Sequence, residues 1–558
     1  MDYAAAPDVA TPVRTMPWVL LVIGIGMLDF WGSRYNLNPD GISYLEMAGN
    51  ALSQGPGALV NGYWSPAYPL LLVPVRLLAP AAWTSAIPAL HLVNFAIYLL
   101  AAAIFCSLLR LASRGAPGAA LSMPFGSAAF VVIAVQCIGL GLLTPDFVVM
   151  LMVLCTAGCC LQLERTDRPT RWSALLGVAL AAGYWTKGIL LPLNAGLLVL
   201  LFIFPPRIAR ARAMVARAAT VFGLLSLPLV VLVSAKVGRA SAGEVGRLNY
   251  AWEIDDMASP FVGWVGDPGN VYGTPLHPPR VLQESPRVLE FATPIRASYP
   301  LWFDPSYWYA GLKPRFSLAG HRRALAQGLA DLGDVLIDQW AVIAGLLLIW
   351  LTTTREARDE KREANGMQHS RMPFVFALWS AAAALLYASV HLESRYLAGF
   401  VAVAVVAAWQ PLTRRVPRRA LPFAVAASVI ALLVSLALNL EKNIGGFERS
   451  YRPDYLLDAK KLAAAGLRRG DAIAMIGDAH EAYAAFANGA WVAAQVFDST
   501  GFWQLTPAAR EALQERLGAM GIRALLANNV GGEMAADGWL IFGRPDSSNI
   551  AVRRVGPQ

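Results

Sequence analysis

Charge is what this chain has least of. Asp, Glu, Lys and Arg make up 15% of its 558 residues, while 56% are hydrophobic; a soluble domain is about one quarter charged. That shortfall excludes an ordinary water-soluble globular protein and implies a polytopic membrane protein. Cysteine is nearly absent: Cys106, Cys137, Cys155, Cys159 and Cys160 all fall inside apolar spans. With none in polar segments, an exported disulfide framework is excluded. Adjacent Cys159 and Cys160 lack the Cys-x-x-Cys spacing of a metal site. The six histidines are scattered, and Asp255-Asp256 is a lone pair in a long loop. No metal and no other cofactor is therefore expected. Neither an internal repeat nor a low-complexity tract is evident. The single glycine of Ile476-Gly477-Asp478-Ala479-His480 is no nucleotide fingerprint. A net charge of +9 would suit nucleic acid, but many basic residues sit in short loops between apolar spans, so no nucleic-acid partner is expected.

What is present is a series of apolar segments of spanning length: 17–34, 84–109, 122–141, 144–163, 173–187, 188–206, 214–236, 334–353, 373–390, 396–411 and 420–440. Several fall short of the ~20 residues that cross a bilayer, and 173–187 is the weakest. Arg14 precedes the first segment and no small-residue cleavage site follows, which reads as an uncleaved first span. An inside N-terminus places Arg14, Arg110, Arg114, Arg165, Arg168, Arg171, Arg207, Arg210, Arg212, Arg217, Arg355, Arg358, Lys361, Arg362, Arg371, Arg414, Arg415, Arg418 and Arg419 in inner loops. Eleven spans then put the C-terminus outside.

Three outer regions are large. Residues 35–83 hold two candidate interfacial helices, 42–54 and 66–79, separated by Gly55-Pro56-Gly57 and the aromatic-rich Asn61-Gly62-Tyr63-Trp64-Ser65-Pro66. Residues 237–333 are rich in Pro, Trp and Tyr, which suits the membrane interface. In the tail, 441–558, the short apolar runs 472–476, 492–497 and 524–527 read as strands, helical stretches around 454–468 and 506–520 alternate with them, and 539–542 with 550–552 suits a hairpin. The expected architecture is an α-helical polytopic membrane protein of about eleven transmembrane helices over 1–440, followed by a small extracytoplasmic α/β domain over 441–558. High Ala, Gly and Arg content fits a GC-rich bacterial genome, and hence a bacterial inner membrane with the C-terminal domain in the periplasm.

Four polar clusters stand at outer ends of spans. They are Asp29 with Asp40, Tyr44 and Glu46; Thr144-Pro145-Asp146; Tyr184-Trp185-Thr186-Lys187-Gly188; and His391-Leu392-Glu393-Ser394-Arg395-Tyr396. Carboxylates at a bilayer mouth are costly unless used. Carboxylates together with Lys, Arg and His at one interface bind a phosphate anion and deprotonate a nucleophile.

The order Asp-x-x-x-Tyr after the first span, Pro-Asp after the third, Thr-Lys-Gly after the fifth and Glu-x-Arg-Tyr late in the chain resembles the GT-C superfamily, which includes protein O-mannosyltransferases and the aminoarabinose and arabinofuranosyl transferases. The resemblance covers about residues 15–440. It implies a polyprenyl-phosphate sugar donor, an active site on the outer face and an acidic base in the first outer loop. On these residues Asp40 and Asp146 become the catalytic candidates. Asp29, Tyr44, Trp64, Lys187, His391, Glu393, Arg395 and Tyr396 become the substrate-binding candidates. Partners would be the donor, membrane lipids and a lipid, glycan or protein acceptor. One departure stands out: many relatives carry two adjacent acids in the first loop, whereas Asp40 is followed by Gly41.

Plainer roles exist for each residue. Asp40 and Asp146 could cap helices, Asp29 could pair with Arg34, Lys187 could snorkel, Glu393 and Arg395 could form a local ion pair, and His391 could be a satisfied interfacial histidine. The rival function is a transporter or flippase. That class favours repeated halves and charges near mid-bilayer, whereas here the charges gather at span ends.

Overall fold

The computed structural model of the protein describes residues 15–78, 83–116, 119–255, 257, 271–291, 297–354, 370–414, 423, 426–438, 454–479, 482–528, 530, 538–544 and 548–555. Arg14, Asp256, His480, the basic residues of 355–362 and Arg415, Arg418 and Arg419 lie outside them.

Helices form over the expected apolar segments and over the expected 42–54 and 66–79, and one more, Val245–Glu253, lies in the 237–333 region. They are α1 (Met16–Ser33), α2 (Pro39–Gln54), α3 (Ala67–Leu78), α4 (Trp83–Ala112), α5 (Ser122–Ile133), α6 (Asp146–Leu163), α7 (Pro169–Thr186), α8 (Leu190–Ile203), α9 (Ala211–Val237) and α10 (Val245–Glu253). Later helices run Leu318–Asp338, Trp340–Thr354, Met372–Ala388, Ser394–Arg414 and Ala426–Leu438. Many are apolar all round, as membrane segments must be. On α9, Leu224, Leu227 and Val231 point outward and are more than half exposed.

Eleven full spans are more than the helix lengths support. Among the described residues five helices are long and apolar enough to cross a bilayer: Met16–Ser33, Ala86–Ala112, Asp146–Leu163, Ala211–Val237 and Ser394–Thr413. A sixth is added if Leu318–Asp338 and Trp340–Leu351, bent 65° at their junction, count as one. The span expected over 334–353 is thus bent near its start, where Leu318–Asp338 gives way to Trp340–Thr354. The segment 122–141 is also interrupted: its helix ends in a π turn, Ala134–Ile138, and then reaches Gly139 at φ 70°. That turn delivers the chain into the 139–145 loop that leads to Asp146.

A seven-stranded sheet follows. Its strands are β1 (Arg280–Glu284), β2 (Arg287–Glu290), β3 (Ala472–Ile476), β4 (Trp491–Val496), β5 (Ile522–Asn528), β6 (Leu540–Arg544) and β7 (Ser548–Arg554), in the order β1-β2-β4-β3-β5-β7-β6. β3 is parallel to β4 and to β5; every other pairing is antiparallel. The tail strands lie where the apolar runs placed them. β1 and β2 come instead from the 237–333 region, and β2 pairs Val288 with Val496.

The C-terminal part meets the rest of the chain near residues 35–46 and at Ser298. The Tyr455 hydroxyl donates to the Tyr35 carbonyl at 2.8 Å. Ser298 accepts the Val492 N–H at 2.9 Å through its own carbonyl.

Candidate active site

Helix α2 begins at Pro39 with Asn38 as its cap residue, so Asp40 lies in the first turn and not at the cap. Its carboxylate, half-buried, faces Arg395, whose Nη1 and Nη2 both lie 3.4 Å from Oδ2. Asp146 opens α6 and is nearly fully buried. Its Oδ1 takes a hydrogen bond from Lys187 Nζ at 2.8 Å, and its Oδ2 is 3.6 Å from Arg395 Nη1. Lys187 ends α7 and also lies 3.8 Å over the Tyr396 ring.

Arg395 is the hub. It grips Glu393 with two bonds, 2.7 and 2.9 Å, and reaches Asp40 and Asp146 at longer range. The Tyr396 hydroxyl donates to Glu393 at 2.6 Å, and His391 Nε2 is 3.4 Å from the same carboxylate. Segments hundreds of residues apart thus meet at one end of the helices, around three carboxylates and two fixed cations. Both cations are engaged by carboxylates here rather than standing open to an anion.

The electrostatics follow. Burial pushes the Asp40 carboxyl above its ordinary range, Arg395 offsets this only in part, and Glu393 and Asp146 push it further. Burial also opposes ionisation of Glu393, yet hydrogen bonds from His391 and Arg395 outweigh it and hold that carboxyl below the usual range. The same Glu393 bond raises His391.

Three candidates lie apart from the ion-pair network. Asp29 does not pair with Arg34, whose guanidinium sits 4.0 Å over Trp31 and donates to the Trp31 carbonyl. Its Oδ2 accepts the Leu140 N–H at 2.8 Å. Trp64 is 7% exposed, its Nε1 donating to the Trp302 carbonyl at 3.1 Å. Tyr44 is likewise buried, edge-on to Trp64 and Tyr68. The half-buried rings are instead Tyr63, Trp252 and Trp302, with Trp252 and Trp302 stacked at 6.2 Å.

Sequence reasoning missed the anchors of the 139–145 loop. His91 bridges the Leu140 and Asn36 carbonyls at 2.7 and 2.8 Å. Asn94 donates to the Leu142 carbonyl at 2.9 Å, and Asn38 accepts the Leu143 N–H at 3.0 Å. With Asp29, four side chains fix the backbone that delivers Asp146. The signal was available: His91 and Asn94 are polar residues within an apolar span, where they need a use.

Gly41 closes the same joint. A Cβ there would stand 2.8 Å from Asn38 Oδ1 and 2.9 Å from Leu143 Cβ. The adjacent acid of the GT-C pattern has no room in this chain. Gly41→Asp is expected to lower the melting temperature and transfer activity together, and an unchanged melt would contradict this packing.

Glu46, two turns along α2, accepts both the backbone N–H and the hydroxyl of Ser298, at 2.6 and 2.5 Å. Burial lifts its carboxyl from the ordinary 4.5 to about 7, against the pull of the Ser298 bonds. The folded protein thus holds a proton that the unfolded chain has released. Stability is expected to fall as pH rises from 4.5 to about 7. Glu46→Gln should remove that component, so the difference in melting temperature between the two proteins should change across this window. A constant difference would contradict the assignment.

No protein-family model matches the chain, and no curated protein matches it in sequence. In fold it is similar to ArnT from Cupriavidus metallidurans bound to undecaprenyl phosphate, with a TM-score of 0.55 and 12% identity over 96% of this chain and 98% of that one. Against the same protein in the apo state the TM-score is 0.54, with 12% identity over 97% and 98%. The chain therefore shares its fold with ArnT along nearly its whole length.

Proposed function

We propose that this chain is a glycosyltransferase that moves a sugar from a polyprenyl-phosphate donor to an acceptor hydroxyl at the outer face of a bacterial inner membrane. The observation that carries the reading is the convergence of Asp40, Asp146, Lys187, Glu393 and Arg395 at one end of the helices. It is supported by a fold shared with a protein solved with undecaprenyl phosphate.

Asp40 takes the proton from the acceptor hydroxyl. That oxygen attacks the anomeric carbon from the face opposite the phosphate and inverts it. The bond from the anomeric carbon to the phosphate oxygen breaks, and its electron pair leaves with the polyprenyl phosphate. Burial favours this role, because a carboxyl raised from its ordinary range is a stronger base once ionised. Arg395 favours the ionised form of Asp40 and aims it. Lys187, one of whose three N–H donors is held by Asp146, turns another toward the leaving phosphate when donor binds. The half-buried Tyr63, Trp252 and Trp302 form an aromatic wall for a sugar ring.

Reconstitution in vesicles tests the class. With a labelled polyprenyl-phosphate sugar the expected result is label transferred from its lipid to an acceptor hydroxyl. Label that crosses the bilayer while still joined to the lipid would make the protein a flippase.

A further inference from the structure

The helix that carries Asp40 is fastened toward the β-sheet by a polar joint at Glu46, beside a longer bond in which the Ser43 hydroxyl donates to the Trp302 carbonyl at 3.4 Å. Glu46 Oε1 accepts the N–H and the hydroxyl of Ser298, and the Ser298 carbonyl accepts the N–H of Val492 in β4. Next in the chain, the Tyr299 hydroxyl donates to Gln495 Oε1 at 2.9 Å, and Gln495 Nε2 donates to the Gly477 carbonyl at 2.8 Å. Gly477 follows β3, whose parallel neighbours β4 and β5 lie on opposite sides. The carboxyl end of such a central strand is where open α/β sheets place their ligand crevices. A narrow cleft lies at this seam, lined by Ser43, Glu46, Ser298, Tyr299, Trp302 and Ala479.

The geometry points to Glu46 as a positioning residue that locks the Asp40 helix to the sheet and so sets where the base stands. The inference rests on the reading of Asp40 as the base. The rest of α2 is held by apolar packing: Ile42, Tyr44, Leu45, Met47 and Ala48 are buried. Loss of the joint therefore leaves a folded, packed helix whose setting against the sheet is looser. A displacement of about 1 Å costs catalysis on the order of 10²-fold.

The experiment compares full-length Glu46→Ala and Glu46→Gln with the parent protein. Glu46→Ala is expected to lower kcat by about 10- to 100-fold, with polyprenyl phosphate binding within about twofold of the parent. Amide hydrogen exchange over residues 42–46 should quicken. Glu46→Gln should restore both, since its amide oxygen accepts the same two bonds. A folded Glu46→Ala protein with parental kcat and parental exchange would overturn the inference. So would a Gln variant as slow as the Ala variant, which would assign the carboxylate a charge-dependent role instead. Asp40→Asn runs as a control: if it turns over normally, the base assignment fails, while the exchange data still report on the joint.

Discussion

Asp40→Asn is expected to fold and to bind polyprenyl phosphate, yet to lose turnover by about 10²-fold or more, the usual scale for a missing general base. Asn keeps the size of the side chain and a polar partner for Arg395, but it cannot take the acceptor proton. The parent protein should also show a pH profile that the variant lacks. Because burial raises the Asp40 carboxyl, transfer should rise with pH through an apparent pKa above the ordinary carboxylate range. Asp146→Asn is the informative comparison. Asp146 is nearly fully buried and bonded to Lys187 at 2.8 Å, so its loss should act through stability and Lys187 placement. If Asp146→Asn were inactive but fully stable while Asp40→Asn worked, the base would be Asp146.

Arg395→Ala should be the most destabilising single change in the site. The guanidinium is 14% exposed and touches Glu393, Asp40 and Asp146. Its removal leaves three carboxylates facing one lysine. Breaking such a partly buried network costs about 3–5 kcal/mol. A large drop in melting temperature in detergent is the expected readout, with transfer abolished in whatever protein stays folded. Arg395→Lys should recover only part of this, because an ammonium cannot reproduce the two-pronged grip on Glu393. Parental stability in Arg395→Ala would show that the network adds little.

The helices and tail strands were legible because each announces itself locally. An apolar run such as 146–163 has one stable form in lipid, and runs like Ala472–Ile476 are short, apolar and bounded by turn residues. The ionic cluster was legible for a similar reason, since charged residues at the ends of apolar spans stand out. What was not legible depends on partners distant in sequence. β1 and β2 are polar and short, and they become strands only because β4 offers an edge 200 residues later. The break at Gln339 falls inside the expected span 334–353, directly after Asp338. Asp29 has the same composition signal as Asp40, and only the fold reveals that one holds a backbone N–H while the other faces an arginine.

The most direct measurement is release of polyprenyl phosphate from a labelled polyprenyl-phosphate sugar by detergent-purified protein supplied with membrane acceptor extract, the parent beside Asp40→Asn. The account predicts release coupled to label on an acceptor hydroxyl by the parent, and release at least ~10²-fold slower by the variant despite normal folding. No release by the folded parent, or equal release by both proteins, would contradict it.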